Sequence, residues 1–119
     1  MSSITVHHNN PSYTSVNGVL FNKDKTTLIQ YPAGRHGDFP TDLYEGYYIP
    51  ETVVKIGEGA FAYCENLIFI AMPDSLTEIG EYAFFHCTGL TTLIMPDSVP
   101  EIGDKAFAEG VGLTIIIIK

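Results

Sequence analysis

The sequence predicts a repeat solenoid, in which short coils of chain stack along one axis. A motif recurs every 23 residues: Pro50 returns as Pro73 and Pro96, each time followed by an acidic residue. An Ile-Gly pair starts at positions 56, 79 and 102, and an Ala-Phe pair starts at positions 60, 83 and 106, in the same phase. A fixed period of this size is typical of stacked coils, because a single coil cannot bury its apolar side alone.

The N-terminal third is interpreted as a partial first coil, residues 1–48, enlarged by a β-meander. Met1, Ile4 and Val6 match the apolar positions of a repeat strand, so we expect the chain to begin inside a strand of an earlier coil. The 43 residues from Ile4 to Tyr47 are then one 23-residue period plus a 20-residue insertion. Such a start fits either a fragment of a longer array or a terminal unit with a modified cap.

The insertion has the pattern of three short strands. We predict strands at Tyr13–Val16, Val19–Phe21 and Thr27–Tyr31, and the first two are joined by Asn17-Gly18, a strong signal for a tight turn. Residues 32–46 are rich in proline and glycine and predict an irregular loop.

Three full repeats follow, within a single domain that spans residues 1–119. They occupy residues 49–72, 73–95 and 96–118. Each repeat ends in a short apolar strand, for example at Leu90, Leu93 and Met95. Stacking the coils places these strands side by side, which predicts a short parallel β-sheet.

The wall opposite this sheet is predicted to consist of turns and single-turn helices. Pro73 lacks an amide hydrogen, so it ends the preceding strand and opens a turn. Ala83, Phe84 and Cys87 have the spacing i, i+1, i+4, which suits one helical turn packed on the core.

Composition excludes several classes of function. The net charge is −8, and residues 50–119 carry ten acids against three lysines. Nucleic-acid binding needs clustered Lys and Arg, so it is not expected. No apolar run approaches the ~20 residues of a membrane span, so membrane insertion is not expected. The first residues lack the charged head and apolar core of a signal peptide, so any export signal would lie outside this chain.

The two cysteines, Cys64 and Cys87, are one period apart and should lie on neighbouring coils about 5 Å apart. Parallel Cβ directions hold the two sulfur atoms side by side, too far apart for a disulfide. We therefore expect no disulfide, and two buried free thiols stacked in one column.

No metal site, cofactor or catalytic centre is expected. His7-His8 and His36 could form a weak surface site for a metal, but adjacent histidines in a loop are more often solvated. His86 lies next to Cys87, where it should point outward. The sequence has no glycine-rich phosphate loop and no nucleophile elbow. The acids recur once or twice per repeat, which is typical of a solvated face.

The outward face of the predicted sheet carries the strongest signal of function. Side chains alternate along a strand, so the outward columns are Gly46, Phe69, Thr92, Ile115 and Tyr48, Ala71, Ile94, Ile117. This face is largely apolar, and large exposed apolar patches usually mark contact surfaces. The hypothesis is that a partner binds at Tyr48, Phe69, Ala71, Thr92, Ile94, Ile115 and Ile117. The alternatives are strand propensity alone, or cover of the face by the loop at 32–46.

The last strand is expected at residues 113–118, followed only by Lys119. An open parallel strand exposes core side chains and unpaired backbone groups. The sequence therefore predicts that the final coil associates end to end with another copy or frays.

The repeat resembles a known family. The string Ile-Gly-x-x-Ala-Phe-x-x-Cys-x-x-Leu followed by Met-Pro-Asp-Ser is similar to the BspA-like class of bacterial and protist leucine-rich repeats. Residues 47–119 carry the resemblance, and residues 10–13, 17–24 and 28–32 are similar to segments common in that class. The third copy departs from the pattern, because Gly110 replaces the cysteine and Pro100 follows Val99.

The resemblance implies a solenoid of the leucine-rich-repeat type and no catalytic residues. It also implies a cell-surface or secreted protein of a host-associated microbe, whose repeats adhere to host matrix or to another cell-surface protein. We therefore expect a non-enzymatic protein-binding or adhesion module. The alternative is a structural spacer that holds another domain away from a surface.

Overall fold

The computed structural model describes residues 1–35, 46–98, 101–109 and 112–118, without the side chain of Ile115. The strands are β1 (Tyr13–Val16), β2 (Val19–Asn22), β3 (Thr27–Gln30), β4 (Gly46–Tyr48), β5 (Lys55–Ile56), β6 (Phe69–Ala71), β7 (Glu78–Ile79), β8 (Thr92–Met95), β9 (Glu101–Ile102) and β10 (Ile115–Ile118). Four of these strands form one sheet in the order β10-β8-β6-β4, here called the parallel sheet. The other six form the mixed sheet, in the order β1-β2-β3-β5-β7-β9.

The expected parallel sheet is present. Tyr47 pairs with Ile70, Ile70 with Leu93, and Leu93 with Ile116, each one period along the chain. Tyr47, Ile70 and Leu93 are buried, because alternation along each strand turns this column toward the core.

The opposite wall differs from the prediction, because the described residues contain no helix there. Backbone amide groups between Ala83 and Cys87 donate either to a carbonyl group of the same coil or to a carbonyl group of the next coil. Ala83 and Cys87 donate to the carbonyl groups three residues earlier, at distances of 3.2 and 3.3 Å. Between them, Phe84 donates to Ala106 of the next coil at 2.7 Å. The predicted helical turn is therefore a run of β-turns that is hydrogen-bonded to the neighbouring coil.

Left-handed backbone conformations explain why no helix forms. Tyr82 and His86 have φ of 57° and 59°, and a right-handed helix requires φ near −60° at every residue. Two positions per coil share this conformation; the described members are Gly59, Tyr82 and Lys105 in one column and Tyr63, His86 and Glu109 in the other.

The N-terminus also differs from the prediction. The strand expected at residues 1–6 is not formed. Instead, the Ile4 amide donates to the Gly18 carbonyl at 2.9 Å, and the Gly34 amide donates to the Met1 carbonyl at 2.8 Å. A segment that binds to the tight turn of the meander cannot also add a strand to the parallel sheet.

The meander is present, with strand bounds within one residue of those expected. Its last strand, β3, pairs in parallel with β5, so that Leu28 lies beside Ile56 in the column that continues to Ile79. The meander is therefore the first part of the mixed sheet, and not an insertion between two strands of the parallel sheet.

The core lies between the two sheets and contains a column of stacked aromatic rings. Ring centroids are 5.3 Å apart for Tyr31 and Phe61, 5.1 Å for Phe61 and Phe84, and 5.0 Å for Phe84 and Phe107. The guanidinium group of Arg35 lies 5.1 Å from the ring centroid of Tyr31 and covers the N-terminal end of the column.

Candidate functional site

The outward face of the parallel sheet has the register expected from the sequence. Gly46 pairs with Phe69, Phe69 with Thr92, and Thr92 with Ile115. The second column runs through Tyr48, Ala71, Ile94 and Ile117. Neighbouring coils therefore bring the predicted contact residues together on one surface.

These side chains are only partly accessible. Tyr48 is 50% exposed and Ile117 is 46% exposed. Phe69, Ala71, Thr92 and Ile94 are half-buried, and the side chain of Ile115 lies outside what the structure describes. The rings of Tyr48 and Phe69 are 5.6 Å apart, so they form one aromatic surface at the β4–β6 end. Of the loop proposed to cover this face, residues 36–45 also lie outside the described residues.

A shallow groove of about 440 Å³ crosses the C-terminal ends of these strands. Its lining residues are Tyr48, Ile49, Pro50, Glu51, Ala71, Met72, Pro73, Asp74 and Ile94. Tyr48, Ala71 and Ile94 supply an apolar floor, and the following turns supply the carboxylates of Glu51 and Asp74. The groove therefore has one apolar side and one acidic side.

Turn geometry holds the acidic side of the groove in place. Pro50 and Pro73 each open a turn, and their carbonyl groups accept the amides of Val53 and Leu76 at 3.1 Å. The Ser75 hydroxyl shares its hydrogen between the carbonyl oxygens of Glu51 and Val53, at 2.7 and 2.8 Å. Because Ser75 bonds to the previous coil, the two acidic turns keep a constant spacing.

The cysteines are both buried and free. Each thiol lies near a carbonyl group of the preceding coil: Cys87 Sγ is 2.9 Å from the Phe61 oxygen, and Cys64 Sγ is 3.6 Å from the Tyr31 oxygen. Burial raises the pKa of the Cys87 thiol to about 11. Burial, followed by the charge of Cys87, raises the pKa of Cys64 well above its usual range. Because a thiolate is the reactive form, these thiols serve as packing groups.

The histidines do not converge on a common centre in the described part of the chain. The rings of His7 and His8 stack at 4.5 Å, and His7 Nδ1 accepts the Asn9 amide at 3.1 Å. His86 Nε2 lies 3.5 Å from Glu65 Oε1 on the turn wall, and His36 is outside the described residues. The described residues contain no cluster of three or more His, Cys, Asp or Glu side chains suited to a metal ion.

One surface was missed by the reasoning from sequence. The turn wall carries a group of neighbouring rings outside the core, here called the turn-wall aromatic cluster: Tyr63, Tyr82, Phe85 and His86. The available signal was that further aromatic residues lie within two positions of the core residues Phe61 and Phe84, at Tyr63, Tyr82, Phe85 and His86. It was not recognised, because a helical turn would have pointed these side chains in other directions.

Comparison with family models gives a match over residues 39–119, to the family described as BspA type leucine rich repeat region, with six copies. No curated protein gives a significant match. No helix in the described parts of the chain has the length and hydropathy needed to cross a bilayer.

Several solved structures resemble this fold. A leucine-rich repeat protein from Eubacterium ventriosum is 30% identical with a TM-score of 0.87, and the match covers 99% of this chain and 30% of that one. The pneumococcal vaccine antigen PcpA is 27% identical with a TM-score of 0.73, and the match covers 98% and 33% of the two chains. A leucine-rich repeat protein from Bacteroides capillosus is 25% identical with a TM-score of 0.65, covering 91% and 99%. This chain thus spans about a third of the first two proteins.

Proposed function

This chain belongs to the BspA-type leucine-rich repeat family, and we propose that it is a non-enzymatic protein-binding module of a cell-surface or secreted protein. Membership of the family supports a binding role, because stacked repeats create extended surfaces suited to partners. A vaccine antigen must be accessible to antibodies, so the similarity to the pneumococcal vaccine antigen PcpA supports a location at the cell surface or outside the cell.

The groove on the parallel sheet is the observation that carries this proposal. Tyr48, Ala71 and Ile94 offer apolar surface that reaches solvent, and Tyr48 is 50% exposed. Tyrosine is enriched in interfaces because its ring supplies contact area at low cost in conformational entropy. Mutual hydrogen bonds between successive coils fix the shape of the groove before a partner arrives, which reduces the entropic cost of binding.

The chemistry of the groove favours an extended protein segment that carries an apolar side chain beside a basic one. The apolar side chain would pack on Ala71 and Ile94, and the basic group would approach Glu51 and Asp74. Such a segment would come from a host matrix protein or from another cell-surface protein, and we propose adhesion to it as the role of the module.

A capture experiment with a paired variant tests this function. Wild-type protein and the Phe69→Ser, Ile94→Thr variant are passed over immobilised host matrix and serum proteins. The control variant, Phe69→Tyr with Ile94→Val, keeps the apolar face and should be retained like wild type. Truncation of these two half-buried apolar side chains is expected to weaken retention at least tenfold, since truncation of a residue at the centre of an interface costs about 1 kcal/mol or more when the residue is a hot spot.

All three proteins must first show equal thermal unfolding midpoints, so that retention reports on the surface. Equal retention of wild type and the Ser/Thr variant would contradict the sheet face as the binding site. Failure of every protein to be retained on any surface would contradict adhesion to these partners.

The alternative function is a structural spacer, in which the repeats only separate other parts of a larger protein. The regular register from β4 to β10 favours it, because repeated identical contacts make a stiff column. A spacer tolerates changes on the sheet face as long as the core columns remain, so the same capture experiment separates the two functions.

We also propose that this chain associates with a second copy of itself through β10. Ile116, Ile117 and Ile118 are 53%, 46% and 64% exposed. Strand β10 pairs with β8 on one edge, and within the described residues no strand pairs with its other edge. An apolar strand with an unpaired edge is a template for pairing with another chain.

A further inference from the structure

The turn-wall aromatic cluster is a connected surface. The ring centroid of Tyr63 is 5.5 Å from that of Phe85 and 5.3 Å from that of His86, and the rings of Tyr82 and Phe85 are also 5.5 Å apart. Tyr63 is 55% exposed, and Tyr82, Phe85 and His86 are half-buried. The cluster thus joins two coils and presents ring faces and edges to solvent, on the wall opposite the groove.

The backbone beneath the cluster is held in a strained conformation. Tyr63, Tyr82 and His86 have φ of 62°, 57° and 59°, where side chains other than glycine are disfavoured. Gly59 occupies the same column as Tyr82 with φ of 63°, which shows that glycine meets the backbone requirement. Lys105 and Glu109 share this conformation one period later, so the conformation belongs to the repeat, and it sets the direction in which the aromatic side chains leave the backbone.

Hydrogen bonds between coils hold the backbone that carries these rings. The Tyr63 amide donates to the Phe85 carbonyl at 2.8 Å, and the His86 amide donates to the Ala108 carbonyl at 3.0 Å. The backbone beneath the rings is therefore pre-organised, and a ligand that stacks on them does not have to order a loop.

The surroundings of the cluster are acidic. Glu81 and Asp104 share an exposed column beside Tyr82, and Glu65 Oε1 lies 3.5 Å from His86 Nε2. The ring of Tyr82 already faces a cation, because Lys105 Nζ is 5.9 Å from its centroid. Aromatic faces next to carboxylates attract cations through the ring quadrupole and through Coulomb attraction.

We infer that the turn-wall aromatic cluster is a second interaction surface, and that it binds an arginine-rich segment of a protein partner. The planar guanidinium group stacks on tyrosine and also forms paired hydrogen bonds with carboxylates, so both features of the surface select it. The ammonium group of lysine supplies the positive charge but has no planar surface that stacks on a ring. The net charge of −8 adds attraction at long range.

The test uses hexa-arginine and hexa-lysine peptides, with blocked ends, titrated into the 119-residue chain by calorimetry at physiological salt. Tyr63→Asn removes the ring while asparagine tolerates the left-handed backbone, and Tyr63→Phe is the matched control that keeps the ring. Wild type and Tyr63→Phe should bind hexa-arginine several-fold tighter than hexa-lysine. Tyr63→Asn should bind hexa-arginine about three- to tenfold more weakly.

Two results would overturn the inference: equal binding of the two peptides by wild type, or unchanged hexa-arginine binding by Tyr63→Asn. Loss of binding in the Phe69→Ser, Ile94→Thr variant alone would place the peptide in the groove and also contradict it. Binding of a neutral oligosaccharide such as maltohexaose at Tyr63, without a preference for arginine, would assign the surface to another ligand class.

Chemical-shift mapping on wild-type protein gives a second measurement that does not depend on a variant. Amide signals of Tyr63, Phe85 and His86 should shift on addition of hexa-arginine. A set of shifts confined to β4, β6 and β8 would overturn the inference. The cluster and the groove lie on opposite walls. Absence of hexa-arginine binding at the cluster would therefore leave the proposed adhesion through the groove untouched.

Discussion

At the scale of single residues, backbone conformation decides the shape of each turn. Gly59 and Gly89 place different demands on the chain. Gly59 has φ of 63°, and a Cβ added there would meet no atom within 4 Å. A Cβ added at Gly89 would collide with the backbone oxygen of Glu65. Gly59 therefore allows a left-handed backbone conformation, whereas Gly89 allows two coils to approach closely.

This difference predicts unequal effects of the same substitution. Gly59→Ala should lower the free energy of unfolding by about 1 kcal/mol, the cost of a left-handed conformation for an L residue. Gly89→Ala should lower it by about 2–3 kcal/mol, because the backbone of a neighbouring coil must move. Urea unfolding of both variants checks this, and an equal loss would contradict the assigned roles.

At the scale of elements, Arg35 adds a side-chain connection between the meander and the first coil, beside the backbone pairing of β3 with β5. Its guanidinium group lies 5.1 and 5.2 Å from the ring centroids of Tyr31 and Tyr47. The same group donates to the Asn17 carbonyl at 2.9 Å and to the Tyr31 hydroxyl at 3.0 Å. One side chain therefore joins the β1–β2 turn to the aromatic column of the core.

Removal of this connection should loosen β1 and β2 before the rest of the fold. Arg35→Ala is expected to lower the free energy of unfolding by about 1–3 kcal/mol, from lost hydrogen bonds and lost cation–π contact. Amide hydrogen exchange in β1 and β2 should rise more than in β6 and β8. Arg35→Lys keeps the charge without the planar fork and should fall between wild type and Arg35→Ala. Unchanged exchange in Arg35→Ala would contradict this role.

At the scale of the whole molecule, the two sheets differ in what lies at one edge. The meander adds β1 and β2 to an edge of the mixed sheet. In the parallel sheet, the column of buried Ile70 and Leu93 continues to Ile116 in β10, which is 53% exposed. Apolar surface is thus concentrated at β10.

We expect the 119-residue chain to self-associate through β10. Sedimentation velocity over a concentration series should show a rising average mass for wild type. Ile116→Lys should weaken association at least tenfold, because it places a charge in an apolar contact. Thr114→Lys, an exposed position just before β10, is the control and should behave like wild type. A wild-type monomer at every concentration would contradict the proposal.

The repeat period alone determined much of this protein: the parallel sheet, its register and the residues that face outward. Apolar columns such as Ile70 and Leu93 follow from periodicity, because only one register buries them all. The sequence could not predict the turn wall, since the spacing of Ala83, Phe84 and Cys87 suits a helical turn and a run of β-turns equally.

Tertiary structure decided between these two conformations. Phe84 donates its amide to Ala106 in another coil, so the choice depends on a hydrogen bond that exists only after stacking. For the same reason, the direction of the Tyr63 ring could not be predicted. The place of the meander depended likewise on the pairing of β3 with β5, a contact between segments whose spacing of 28 residues lies outside the repeat period.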